Sequence, residues 1–233
     1  EEGLVLHERT RGLMAEIQEA GKAAASSAPV PRGRLRISAP IVFAHVVLCP
    51  IAARFALAYP QVELEIIAED RVVDPVDDGY DLVVRIDPAH NERLMGRCIL
   101  IDQRLVVAAP TMSIPAASTR DMDRLSAPAV MFAAASGAPW EMRTRGGGAR
   151  TLQPLPVLRL SSLLMVRDAV LQGVGAALLP RLLIAQDVAA GRLVCWGECG
   201  PPVEIWALYN SRRLLSAKVR AFLDMLKDLP NDN

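Results

Sequence analysis

The sequence predicts an α/β fold of two lobes, and three observations carry that reading. Short runs rich in β-branched residues alternate with stretches whose apolar residues recur every three or four positions. Pro and Gly fall where one pattern gives way to the other. The alternation also occurs twice, before and after about Pro110. Strand–helix alternation of this kind predicts a parallel sheet covered by helices on both faces.

The elements follow in order. Residues 4–25 have a helical seam at Leu6, Leu13, Ile17, Ala20 and Ala24, with Thr10 interrupting it. Ser26, Ser27, Pro29, Pro31 and Gly33 end that helix and mark a linker. Arg34–Ser38 alternates polar and apolar residues and reads as a strand. Pro40 opens a helix with Val47, Ile51, Phe55 and Ala58 on one face, stopped at Tyr59-Pro60. Val62–Ala68 is the next strand, 72–78 a short acidic helix closed by Gly79, and Asp81–Ile86 a strand. Leu105–Ala109 is a strand that ends the first half.

In the second half, Ala129–Phe132 reads as a strand. Met142–Arg145 and Ala149–Leu152 read as a hairpin around Gly146, Gly147 and Gly148. Val157–Leu160 is a strand, and Ser161 is the expected N-cap of a helix reaching Gln172. Gly173-Val174-Gly175 turns into the strand Ala176–Leu179. Pro180 suits the first turn of a helix ended by Gly191. Leu193–Trp196 and Val203–Tyr209 are strands, and 216–227 is a last amphipathic helix.

Composition narrows the function. Hydrophobic residues make up 52 % of the chain and charged ones 22 %, which describes a globular protein with a core. With 26 basic and 26 acidic residues there is no global bias towards nucleic acid or a membrane surface. The apolar stretch Ala39–Tyr59 contains Pro40, His45, Pro50 and Arg54 and is expected to be a buried helix, because a charge at mid-bilayer costs about 2.5–3.5 kcal/mol. Cys49, Cys98, Cys195 and Cys199 have no second Cys/His pair at zinc spacing and read as buried free thiols in a reducing compartment.

No motif for catalysis is present. There is no G-x-S-x-G, P-loop, G-x-G-x-x-G or H-E-x-x-H, and no cofactor or metal is expected. Asp74, Asp77 and Asp78 read as a solvated helix face. Arg85 stands at the carboxyl end of a strand, the end at which open α/β sheets bind ligands, and reads equally as an anion contact or a surface ion pair. Ser38, Ser161 and Ser162 precede helices, where a hydroxyl and free N–H groups can hold a carboxylate or simply cap the helix. The overall expectation is a binding protein, not an enzyme.

An ordered series of segments resembles one family. "GRLRISAP" (33–40), "LCPIAARFALAYPQVELEI" (48–66), "DRVVDPVDDGYDLVVRI" (70–86), "VRDAVLQGVGAALLPRLLIAQDVAAGRLV" (166–194) and "ALYNSRRLLSAKVRAFLDML" (207–226) resemble the effector-binding domain of LysR-type transcriptional regulators. "EEGLVLHERTRGLMAEIQEA" (1–20) resembles the end of that family's winged helix-turn-helix and its linker helix. The resemblance implies two Rossmann-like lobes of the type II periplasmic-binding-protein kind, with an effector in the cleft between them. It implies a linker helix and hinge over 1–32, lobe I over 33–109 plus 205–233, and lobe II over 110–204.

By the same resemblance, effector contacts fall on Ser38, Pro40, Ile41, Arg85 and Ile86 in the first lobe, and on Phe132, Ala133, Ser161 and Ser162 in the second. The apolar pairs Pro40-Ile41 and Phe132-Ala133 favour an aromatic or aliphatic acid as effector. The implied protein is cytoplasmic, self-associates as a dimer or tetramer, and touches DNA only through a winged helix-turn-helix that these residues lack; no membrane partner is expected. The alternative is a solute-binding protein of a transport system, which shares the architecture. An enzyme of the porphobilinogen-deaminase kind shares it too, but lacks support in any nucleophile–base pattern.

Overall fold

The computed structural model describes residues 30–71, 78–89, 94–115, 124–144, 146–210 and 215–229. The expected linker helix, and the acidic helix with Asp74 and Asp77, lie outside these residues. The chain divides into two compact units. The first contains the chain up to Pro40, Val47–Ile99 and Trp206–Pro230; the second contains Ile41–Val46 and Leu100–Ile205. The boundary expected at Ala109 therefore falls at Ile99, because the strand that follows pairs with second-unit strands over Arg104–Val107 and Leu105–Ala108.

The first unit is a five-stranded sheet in the order β2-β1-β3-β11-β4. Its strands are β1 (Gly33–Ala39), β2 (Val62–Ala68), β3 (Leu82–Ile86), β4 (Leu94–Asp102) and β11 (Val203–Asn210). β1 runs parallel to both β2 and β3, as the alternation predicts. Leu35, Ile37, Leu82 and Val84 are completely buried in it. β4 escaped the sequence reading because Gly96, Arg97 and Asp102 interrupt its apolar pattern. Gly96 is required there: a Cβ would stand 2.2 Å from the Ala207 carbonyl oxygen of the neighbouring β11.

Helix α1 (Ile41–Ala58) follows β1 and, among the described residues, is the one helix long and apolar enough to cross a bilayer. It is an α-turn, a π-turn over Ala44–Leu48 and an α-helix over Cys49–Ala58. Pro50 accounts for the wide turn: it has no N–H, and its ring cannot sit against a normal i−4 carbonyl. Phe43, Leu48, Ile51 and Phe55 are its buried stripe. Phe55 meets Phe222 of the last helix, α4 (Ala217–Met225), edge to face at 5.2 Å. Lys218 fastens α4 to β1 by donating to the Arg34 carbonyl and pairing with Asp81 at 3.4 Å.

The second unit departs from the expected parallel sheet. It holds β5 (Arg104–Ala108), β6 (Arg124–Phe132), β7 (Trp140–Arg143), β8 (Ala149–Leu160), β9 (Ala177–Pro180) and β10 (Val194–Cys199), in the order β6-β8-β7-β10-β5-β9. β6 and β8 are parallel, but β7 with β8, β10 with β7, β5 with β10, and β9 with β5 are antiparallel. Two hydrogen bonds, Val130 N to Ala176 O at 2.9 Å and Ala176 N to Pro128 O at 2.8 Å, then bring the β9 end back to β6. The strand series closes on itself. Gly175 permits that approach, since a Cβ would lie 2.8 Å from the Pro128 oxygen.

Alternate residues sort to the two sides of this sheet, as strand geometry demands. Val106, Ala108, Leu125, Ala127, Ala129 and Met131 join one core with Trp140 and Trp196. Leu105, Val107 and Val130 join another beneath α2 (Leu163–Leu171) and α3 (Arg181–Ala189). The two strands expected around Leu152 and Leu160 are one strand of twelve residues. Pro154 and Pro156 do not break it: β8 pairs with β7 only through Ala149–Leu152, and beyond that its neighbour is β6.

Two helix starts shift by one residue. Ser162, not Ser161, is the N-cap of α2, and its hydroxyl accepts from the Leu164 N–H at 3.2 Å. Pro180 is the cap of α3 and not part of its first turn. With no capping side chain of its own, α3 is capped by the β4–β5 junction. Asp102 accepts from Leu182 N at 3.1 Å and the Gln103 carbonyl from Arg181 N at 2.8 Å.

Candidate functional site

In the first unit, parallel pairing puts the carboxyl ends of β1, β2 and β3 at one edge, with Ser38 in register with Ile67 and Val83. A polar network forms there. Arg85 Nη2 donates to Ser38 Oγ at 2.9 Å, and Ser38 Oγ donates to Glu69 Oε1 at 2.8 Å. The Tyr80 hydroxyl donates to the same Glu69 oxygen at 2.7 Å, and Arg71 Nε pairs with Glu69 Oε2. Arg36 lies over the Tyr80 ring at 5.1 Å and holds the carbonyls of Asp78 and Gly79 at 3.2 Å.

The electrostatics follow from that geometry. Burial pushes the Arg85 pKa down, while the Glu69 charge opposes the shift; a guanidinium stays charged through such a change. Burial pushes the Glu69 carboxyl up, but hydrogen bonds from Tyr80, Ser38 and Arg71 outweigh it and hold the group below its ordinary value. The edge thus carries a half-buried permanent cation beside a fixed carboxylate.

The structure brings Ser38 and Arg85 together. Ser38 is itself completely buried, so its hydroxyl serves the network. Pro40 and Ile41 follow β1 and are partly exposed, and Ile86 is half exposed at the end of β3. Asp87, the next residue, has φ 41°, a conformation few residues other than Gly adopt. Glu69, Tyr80 and Arg71 were missed as network members. The available signal was position: Glu69 directly follows a strand, and Tyr80 stands between Gly79 and a strand. The described acids Asp78 and Asp81 are paired. Asp78 pairs with Arg71 at 3.3 Å, and Asp81 accepts from Arg36 N at 2.9 Å. Among the described residues no group of three or more His, Cys, Asp or Glu could hold a metal ion.

In the second unit, β6 and β8 end in register, Phe132 opposite Leu160. Ala133 N donates to Leu160 O at 2.7 Å, which sets Phe132 and Ala133 beside Ser161 and Ser162. All four predicted residues therefore share one edge. Ser161 and Ala133 are exposed there, while the Ser162 hydroxyl is committed to its cap. The same edge carries the start of α2, whose first N–H groups favour an anion. The unit also has open hollows of about 580 and 680 Å³ around Arg143 and Glu198, lined by none of the predicted residues.

Two α/β units with polar groups gathered at the carboxyl ends of their parallel strands define a ligand-binding class of protein. Residues 28–230 match the family model described as LysR substrate binding domain, and the chain belongs to that family. The HTH-type transcriptional regulator DmlR of Escherichia coli is 29 % identical over 231 residues, covering 97 % of this chain and 75 % of that protein. PtxR of Pseudomonas aeruginosa is 32 % identical over 204 residues, 85 % of this chain and 64 % of that one.

Among solved structures, the regulatory domain of AphB from Vibrio vulnificus aligns with a TM-score of 0.67 at 24 % identity, covering 84 % of this chain and 97 % of that one. CrgA of Neisseria meningitidis, a LysR-type regulator, aligns with a TM-score of 0.72 at 22 % identity, covering 98 % and 79 %. These structures share the two-lobed fold. The chain is an effector-binding domain of a LysR-type regulator, and the transport-protein alternative is not favoured.

Proposed function

We propose that the domain senses a small acidic or aromatic molecule at its strand-end edges, and so controls DNA binding by the helix-turn-helix of the intact regulator. The observation that carries this reading is Arg85, a half-buried cation at the carboxyl end of β3, oriented by Ser38. A guanidinium in that setting offers paired N–H donors to a carboxylate. Ile86, half exposed, follows Arg85 at the end of β3 and supplies apolar surface. Ser161, with the α2 start, offers a second anion contact on its own lobe. The two lobes correspond to the compact units divided at Ile99 and Ile205. The reading is of a cytoplasmic binding domain without catalysis or cofactor, self-associating as a dimer or tetramer. Leu155 and Val157, about half exposed and two residues apart on β8, suit self-association.

The test is a thermal-shift panel of aromatic and aliphatic carboxylates, followed by calorimetry on any member that stabilises the domain. Arg85→Ala is expected to weaken the selected acid by about tenfold or more, and Ser161→Ala by less. Unchanged affinity in Arg85→Ala removes that residue from the site and the reading with it.

A further inference from the structure

Glu69 is surrounded as a bound carboxylate would be. Ser38 and Tyr80 donate to one of its oxygens at 2.8 and 2.7 Å, and Arg71 pairs with the other. Hydroxyl, phenol and guanidinium converging on two oxygens is the donor set by which proteins hold a ligand's carboxylate. The side chain is 15 % exposed, so one face of this nest opens outward. Its backbone is fixed separately, because Glu69 N donates to Ala39 O at 2.9 Å and extends the β1–β2 ladder. The side chain can therefore leave without unzipping the strand. Arg71 would keep Asp78 as a partner, and Ser38 would keep Arg85.

We propose that Glu69 fills, from within the chain, a carboxylate position at this edge, and that an anionic ligand reaches Ser38, Tyr80 and Arg71 by displacing it. The inference rests on the Arg85 reading and sharpens it. Arg85 attracts the anion, while Glu69 sets the threshold, since a ligand must outcompete a carboxylate already at high local concentration. Weak monoanions are then rejected, and ligands with additional contacts to the neighbouring apolar residues are selected.

The experiment is chemical rescue of Glu69→Ala, read as melting temperature in sodium formate, sodium acetate and sodium chloride at matched ionic strength. The expected result is a lower melting temperature for the variant, raised saturably by formate and acetate, much less by chloride, and little changed in wild type. Tyr80→Phe in the same background should weaken the formate midpoint by about five-fold or more. Equal responses to formate and chloride, or equal responses in variant and wild type, overturn the proposal. If Glu69→Ala does not fold, Glu69→Gln keeps the shape without the charge. Acetate should raise its melting temperature clearly more than that of wild type, and equal responses are equally fatal. Arg85→Ala separates the two readings: Arg85-dependent acid binding without rescue sinks the Glu69 proposal alone. Rescue without any role for Arg85 sinks the effector site and leaves the carboxylate position standing.

Discussion

Arg167 on α2 grips Asp187 on α3 with two hydrogen bonds, Nε to Oδ2 at 2.6 Å and Nη2 to Oδ1 at 3.0 Å. Arg192 reaches the same carboxylate at 2.6 Å, and Asp187 is completely buried. The pair ties α2 to the end of α3 over the second-unit core. Burial pushes the Asp187 carboxyl up, yet the bonds from Arg167 and Arg192 prevail and hold it below its ordinary value. A depressed folded pKa contributes stability above the unfolded value of about 3.9 that is lost as pH falls through the folded value. Arg167→Ala should cost about 3 kcal/mol, because it leaves a buried charge half-compensated. Urea midpoints of wild type and variant should converge on acidification below about pH 4; midpoints that differ equally at every pH would show that the lost contact is packing.

Asp102 predicts the opposite sign. Burial raises its carboxyl above the ordinary value, and the N–H groups of Leu182 and Gln103 with the charge of Arg181 only partly offset this. A raised carboxyl pKa gives stability that is complete below the unfolded value and lost as pH rises through the folded one. Asp102→Asn keeps an oxygen for Leu182 N and removes the buried charge. It should raise the melting temperature at neutral pH, with each kcal/mol worth about 2–4 °C in a protein of this size. Asp102→Ala loses the cap and should cost about 1 kcal/mol. A less stable Asp102→Asn at neutral pH contradicts this account.

Gly96→Ala is expected to be the most damaging small substitution in the first unit. The added methyl would stand 2.2 Å from the Ala207 carbonyl oxygen, and backbone cannot yield as a side chain does. Soluble yield and the far-ultraviolet melting curve measure the effect. A variant within about 0.5 kcal/mol of wild type shows that β4 and β11 do not approach this closely.

Phe222→Ala should cost about 3–5 kcal/mol, since Phe222 is fully buried and packs edge to face on Phe55. Phe222→Leu should recover most of that loss. Equilibrium denaturation of the two variants measures the difference, and equal losses would mean that ring geometry, not volume, is what α1 and α4 require.

The strand–helix pattern was legible because periodicity reports burial. Val62–Ala68 was read with its bounds intact, and β1, β3 and α4 were displaced by a residue or two. What stayed hidden depends on contacts between distant residues. β4 is interrupted by Gly96, which only the nearby Ala207 explains. The antiparallel pairings of the second unit are matters of register, which composition does not carry. At the site, Arg85 and Ser38 were visible from their places at strand ends, but their bond to each other was not. Glu69 was invisible as a partner because its role arises from Ser38, 31 residues earlier, and Tyr80, 11 residues later.

The two prolines of β8 bear on how the protein behaves when concentrated. Past Leu152 the strand pairs with β6, while Leu155 and Val157 stay about half exposed. A bare apolar strand invites indefinite addition of further copies, the route to fibres. Pro154 and Pro156 carry no amide hydrogens and interrupt the regular donor row that such growth copies. Greasy side chains can then be shared with a neighbour in a finite complex, while the backbone refuses to act as a template.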